Sequence, residues 1–166
     1  MRTLILIAAI VFSSFSFSQK TLKNVSLQTL EGKLITMKSM LTNEVTVLSL
    51  WSTKCAPCKK KLNAISKVYE NWKNDTGVKF YAVSIDNTSE KNKIKSLVKS
   101  GNWNFDVLLD GDKNLRKALG VRMVPLTLVI KNNKIVYREA GYSKNSKQKL
   151  YKAIKKYSTA RSYASL

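Results

Sequence analysis

Histidine is absent from this chain, and cysteine and proline occur only twice each. The first absence rules out catalysis by imidazole. Two cysteines are too few for a disulfide framework, and with no third thiol and no imidazole they do not complete the usual four-ligand zinc site. Acidic residues are scarce too: ten Asp and Glu face thirty Lys and Arg, for a formal net charge of +20. Such a charge can serve nucleic acid, an anionic membrane surface or acidic partners. The lysines are scattered, however, with no arginine-rich block and no nucleic-acid motif. The expectation is a solvated basic surface that steers partners and binds no nucleic acid, with contact to a membrane surface left open. No repeat and no long linker divides the chain.

No apolar run is long enough for a comfortable membrane span. The first eighteen residues instead read as a signal peptide, with Arg2 as the positive region, Leu4 to Phe12 as the apolar region and Ser16-Phe17-Ser18 as a small-x-small cleavage site. The cut is expected between Ser18 and Gln19 and the destination is periplasmic or otherwise exported. An uncleaved anchor is the alternative, because Phe15 and Phe17 prolong the hydrophobicity. No cysteine lies near the cut, which argues against a lipoprotein anchor. Losing Arg2 lowers the charge from +20 to +19. Residues 19–166 are expected to form one domain whose end, from about residue 158, is loosely ordered.

Both cysteines fall in the stretch Val47 to Lys61, VLSLWSTKCAPCKKK. Val45 to Trp51 is short, charge-free and rich in Val and Leu, which predicts a buried strand. From Ala56 on, Leu62, Ile65, Val68, Tyr69 and Trp72 recur at helical spacing, which predicts a helix from Ala56 to about Trp72. Pro57 suits its first turn, where an amide would have no intrahelical partner. Cys55 therefore stands at a helix N-terminus, where unpaired N–H groups and the helix dipole favour thiolate over thiol. Lys54, Lys59, Lys60 and Lys61 add positive charge, screened by salt where exposed. Cys58, one turn on, can close a disulfide onto Cys55 and is expected to be the more buried, resolving thiol. Cys55 would attack a substrate disulfide and Cys58 would release it. An inert structural bridge is the alternative, although so short a loop gains little chain entropy.

The remaining chain reads in order. Thr21 to Leu27 and Lys33 to Met37 make a hairpin around Glu31-Gly32, and Ser39 to Asn43 a helical turn or loop. Val78 to Ile85 is a second central strand with Asp86 just beyond it. Asn87 and Glu90 resemble a capping box opening a helix through about Ser100, with Ile94, Leu97 and Val98 inward. Phe105 to Leu108 is a strand, Asp110-Gly111-Asp112 a plain turn, and Leu115 to Leu119 a short helix closed by Gly120. Leu126 to Ile130 and Lys134 to Glu139 form a second hairpin at Asn132-Asn133, and Ser146 to Tyr157 a last amphipathic helix. This order implies an α/β fold, a mixed sheet with helices on both faces.

These residues resemble the thioredoxin superfamily, and within it the exported TlpA-like (ResA-like) thiol-disulfide oxidoreductases. The resemblance runs from LQTLEGKLITM through LSLWSTKCAPCKKKL and VSIDN to LGVRMVPLTLVIKNNKIVYREAGY, with the CAPC motif and Val124-Pro125 about 70 residues apart in the family's order. It implies a thioredoxin fold, a central mixed β-sheet flanked by helices, with an N-terminal β-hairpin extension. It implies a cis-proline loop at Val124-Pro125 that packs on the redox cysteines and offers backbone to an extended substrate; an ordinary trans proline at a strand start is the alternative. Catalysis is assigned to Cys55 and Cys58, and substrate contact to Trp51, Lys54, Ala56, Pro57, Val124 and Pro125. No metal and no cofactor beyond the Cys55-Cys58 disulfide is expected, and the chain is expected to be a monomer.

Three positions depart from the family. Lys54 stands where relatives often carry Trp. Ser49, six before Cys55, replaces a buried acid or Asn, so the group that deprotonates Cys58 has no candidate in the sequence. Ser52, not Thr, lies three before Cys55, against a thiol peroxidase. Trp51 matches a family aromatic and is expected to serve both core and site wall, and Thr127 to serve packing alone. The expected function is reduction of disulfides in other exported proteins, as relatives do for apocytochromes in cytochrome c maturation, with a membrane thiol electron donor. A disulfide-forming oxidant or isomerase, and a binding or assembly module with a structural disulfide, are the rivals.

Overall fold

Every residue from Val45 to Trp51 is buried. A charge-free run of this kind belongs inside a sheet, and strand β3 (Thr46–Trp51) lies there with neighbours on both sides. The computed structural model describes residues 22–159. The expected signal peptide, its cut and the chain end beyond residue 159 lie outside the described residues.

The sheet also contains β1 (Ser26–Thr29), β2 (Leu34–Thr36), β4 (Lys79–Ser84), β5 (Asp106–Leu109), β6 (Leu126–Lys131) and β7 (Lys134–Ala140), in the spatial order β2-β1-β5-β4-β3-β6-β7. Strands β3, β4 and β5 are parallel; β6 runs antiparallel to β3, and β1 to β5. The two predicted hairpins are both present, β1 with β2 and β6 with β7. The second turns through Asn132 and Asn133 at φ 49° and 59°, a left-handed pair that asparagine tolerates well and that matches strand twist.

Alternation along β3 divides the core. Val47 and Trp51 face one side, with α2 (Ala56–Ser66), α3 (Tyr69–Thr76), α4 (Lys91–Ser100) and α6 (Ser146–Thr159); Leu48 and Leu50 face the other, with α1 (Met37–Met40) and α5 (Asn114–Ala118). The mixed α/β sheet with helices on both faces is thus the observed architecture. None of the described helices is long and apolar enough to cross a membrane.

Three local expectations are corrected. The helix expected from Ala56 to Trp72 is two helices, broken at Lys67 and Val68. No Gly or Pro marks the break; Ser66 Oγ donates to Asn102 O and tethers the end of α2, and Val68 N–H closes the turn on Ile65 O at 2.9 Å. The capping box at Asn87 does not form, since its side chain makes no cap bond, and a 3₁₀ turn at Thr88–Glu90 precedes α4. The short turn after the first hairpin is α1, starting at Met37, because Thr36 and Ser39 form a capping box there.

Two contacts outside the sheet carry stability. Asp110 is buried, and its carboxylate accepts from the backbone N–H of Leu115 at 3.0 Å and Arg116 at 2.7 Å, which holds α5 against the sheet. Burial pushes this carboxyl above its ordinary value, while the α5 amides pull it back down. Asp110→Ala is expected to cost about 1–2 kcal/mol in denaturant unfolding, the usual loss for a capping oxygen. At Gly101 an added Cβ would stand 2.3 Å from Trp103 Nε1, an indole that donates to Asn63 Oδ1 at 2.6 Å. Gly101→Ala is expected to displace that indole, lowering stability by about 1–3 kcal/mol and changing tryptophan fluorescence.

Candidate functional site

The site lies where β3 ends and α2 begins, at the C-terminal edge of the parallel strands. Between them Ser52 to Lys54 form a tight turn: Cys55 N–H donates to Ser52 O at 3.0 Å and Lys54 N–H to Ser52 Oγ at 3.2 Å. Asp86, just past β4, fastens this turn from the neighbouring strand. Its carboxylate accepts from Thr53 N–H at 2.8 Å, Ser52 Oγ at 3.0 Å and Ser84 Oγ at 2.8 Å. The sequence reading placed Asp86 but gave it no task, because its partners lie more than thirty residues upstream or in a short serine turn.

Cys55 is the N-cap residue of α2, and Pro57 falls in the first turn. Cys55 and Cys58 form a disulfide with their Cα atoms 5.3 Å apart. Cys58 is fully buried, Cys55 half-buried, and Cys58 N–H donates to Cys55 Sγ at 3.2 Å. Cys55 is therefore the more exposed sulfur of the pair, and a helix-terminal amide faces it. The Val124-Pro125 peptide is cis, and the Val124 carbonyl oxygen stands 3.8 Å from Cys55 Sγ. Pro125 O accepts from Gly141 N–H at 2.8 Å, tying this loop to the end of β7.

Of the residues expected to touch substrate, Lys54, Ala56 and Pro57 are exposed and Val124 is half-buried beside Cys55, whereas Pro125 is buried. Trp51 is a correction. It is fully buried, edge-on to Trp103 at 4.9 Å between ring centroids, so it supports the site from beneath and offers no wall to a client. Its Nε1 has no hydrogen-bond partner among the described residues. Met123, 67% exposed next to Val124, is an apolar rim residue that the sequence pattern did not single out.

Beneath the disulfide the sheet is polar along one row. Ser49 pairs in register with Thr127, and Thr127 with Glu139; the two hydroxyls lie 3.4 Å apart, so Thr127 does more than pack. Lys61 is a further correction, for it is not part of a solvated cluster. Its side chain is 2% exposed and its Nζ donates to Glu139 Oε2 at 2.8 Å. Burial pushes the ammonium below its ordinary value, and Glu139 pulls it part of the way back. The partners are 78 residues apart in the chain, so only the fold reveals the pair. Among the described residues no group of three or more acids and cysteines could hold a metal.

Known proteins resemble this chain in sequence and fold. The AhpC/TSA family matches residues 19–138. Thiol-disulfide oxidoreductase ResA of Bacillus thuringiensis subsp. konkukian is 30% identical over 138 residues, which cover 82% of this chain and 76% of that one. A thioredoxin-like protein from Porphyromonas gingivalis, solved in solution, superposes with a TM-score of 0.73 and 33% identity, over 84% of this chain and 92% of the other. The thioredoxin domain of a thiol-disulfide oxidoreductase from Bacteroides vulgatus superposes at 0.70 with 18% identity, over 84% and 96%, a likeness of fold. With its disulfide at the start of a helix and its cis-proline loop alongside, the chain belongs to the AhpC/TSA family, as a ResA-like thiol-disulfide oxidoreductase of the thioredoxin superfamily.

Proposed function

We propose that this oxidoreductase is exported and works as a reductant, opening disulfides in other exported proteins such as apocytochromes awaiting haem, and that a membrane thiol donor re-reduces it. The reading rests on the unequal exposure of the two sulfurs, with Cys55 open to a client beside the Val124 carbonyl and Cys58 closed behind it. The leader-like N-terminal sequence supports export. The pair carries both electrons, with no metal or organic cofactor.

In the reduced protein Cys55 is the nucleophile. The free N–H groups of the first α2 turn and the helix dipole stabilise its thiolate, which holds its pKa below the roughly 8.5 of a free thiol. An extended client segment lies along the Val124-Pro125 backbone, with Lys54, Ala56, Pro57 and Met123 at the rim. Cys55 attacks one client sulfur and a mixed disulfide forms as the client bond breaks. Cys58 then attacks Cys55, closing the protein disulfide and releasing the second client thiol. The Asp86 clamp fixes the turn from which Cys55 projects, so the attacking sulfur is held in one place through both steps.

Two measurements test the reading. Equilibration of the mature protein in thiol buffers, with trapping of free thiols, is expected to give a potential near or below about −230 mV; a value between about −180 and −120 mV would assign an oxidant or isomerase instead. Cys55→Ala is expected to abolish reduction of insulin disulfides while the fold persists. Retained partner binding with no exchange in the unaltered protein would mark a binding module with an inert bridge.

A further inference from the structure

The proposed reaction leaves one charged pair without a task. Lys61, buried on the redox helix, and Glu139, half-buried, are joined at 2.8 Å, although ion pairs in such places are often worth no more to stability than apolar packing of the same volume. Both ends of the pair lead back to the disulfide. Lys61 is three residues after Cys58 on the same buried face of α2. A helical side chain leans toward the helix N-terminus and covers the turn before its own Cα, so the Lys61 stem lies over the turn that carries Cys58. Glu139 is two residues before Gly141, whose N–H holds Pro125 O, and Val124 O stands beside Cys55. The polar row of Ser49, Thr127 and Glu139 runs across the sheet between these points.

A fully buried thiol resists ionisation, because its thiolate loses hydration. Two polar side chains of the central strands on this face of the sheet, Ser49 and Thr127, are neutral and bonded to each other. We propose that the Lys61 ammonium stabilises the Cys58 thiolate during the resolving step, and that Glu139 holds it in position. Lys61 is thus a positioning and electrostatic residue for Cys58. The inference rests on the redox reading above.

The step balances as follows. Cys58 gives its proton to solvent, and its thiolate attacks Cys55 Sγ in the mixed disulfide. The Cys55–Cys58 bond forms as the bond from Cys55 to the client sulfur breaks, and the client sulfur leaves with the electron pair and takes up a proton. Two protein thiols are oxidised and one client disulfide is reduced. The other titratable groups around this core are few. α2 supplies Cys55 and, on its outer side, Lys59 and Lys60; β7 supplies Glu139 and Tyr137; α3 supplies Tyr69, and α6 supplies Tyr151 and Tyr157. Burial pushes the Tyr69 and Tyr137 hydroxyls up, so neither gives Cys58 a positive partner or a base near neutral pH. Among the described residues, Lys61 is the cation buried on this face.

The reduced protein is mixed with the aromatic disulfide dithionitrobenzoate, which releases one coloured thiolate when Cys55 attacks and a second when Cys58 resolves. In Lys61→Met the first phase is expected to keep its rate. The pH midpoint of the second is expected to rise by about one to three units, and its rate near neutral pH to fall about tenfold or more. Lys61→Arg is expected to restore most of that rate, because it returns the charge. Lys61→Met with Glu139→Gln leaves no unpaired buried charge and decides the matter if the single variant does not fold; it too is expected to slow the second phase. An unchanged second phase and midpoint in the folded variants would overturn the role of Lys61. A missing second phase in the unaltered protein would instead overturn the redox reading.

Discussion

One carboxylate, Asp86, fixes the joint on which this molecule turns. The chain must leave a fully buried strand and within four residues begin a helix whose first side chain is a reactive sulfur. Such a reversal leaves backbone N–H groups without ladder partners, and a buried orphan donor costs more than most single contacts return. Asp86 meets this demand from the next parallel strand by accepting from Thr53 N–H and the Ser52 hydroxyl, while Ser84 Oγ steadies the acid itself. Parallel pairing makes the arrangement possible. Trp51 and Ser84 stand in register, so both chains leave the sheet at the same level and a side chain on one can reach the backbone of the other.

From that joint the site is assembled by elements distant in sequence but adjacent in the sheet. β6 runs beside β3 on the side opposite β4, so the segment entering β6 arrives next to the start of α2. This places the Val124 carbonyl against Cys55, and the return strand β7 brings Glu139 under the same helix. The resulting disulfide is asymmetric. One sulfur meets solvent and backbone dipoles, and the other is enclosed in the apolar interior behind it.

The sequence exposed the parts of this design that rest on local chemistry. A charge-free strand, the C-A-P-C turn with proline in the first helical turn, the Asn-Asn hairpin and the Val-Pro segment each announce themselves within a few residues. The mixed sheet with two covered faces followed from the alternation of those elements, whereas the strand order came only from the fold. The α2–α3 break was hidden because Leu62, Ile65, Tyr69 and Trp72 keep helical spacing across it; the break comes from a tether between Ser66 and the loop at Asn102, which no local pattern encodes. Asn87 and Glu90 have the right identities for a capping box, but the chain there winds as a 3₁₀ turn in which the Asn87 side chain makes no cap bond. Lys61 looked like one of three solvated lysines. Its burial depends on an acid contributed by a strand near the other end of the chain, and side-chain type alone predicts exposure.

The two outer strands have a bearing on how the protein lives at high concentration. β2 is only three residues long, and β7, bonded in the sheet to β6 alone, turns Lys134 and Arg138 to solvent and pairs through a register shift at Val129 and Ile130. Short borders, positive side chains and local irregularity all discourage a foreign strand from extending a sheet. The unpaired margins of this sheet are thus unattractive to extended polypeptide. In the proposed reaction, the backbone presented to a client is confined to the few atoms around Val124 and Pro125, beside Cys55 Sγ.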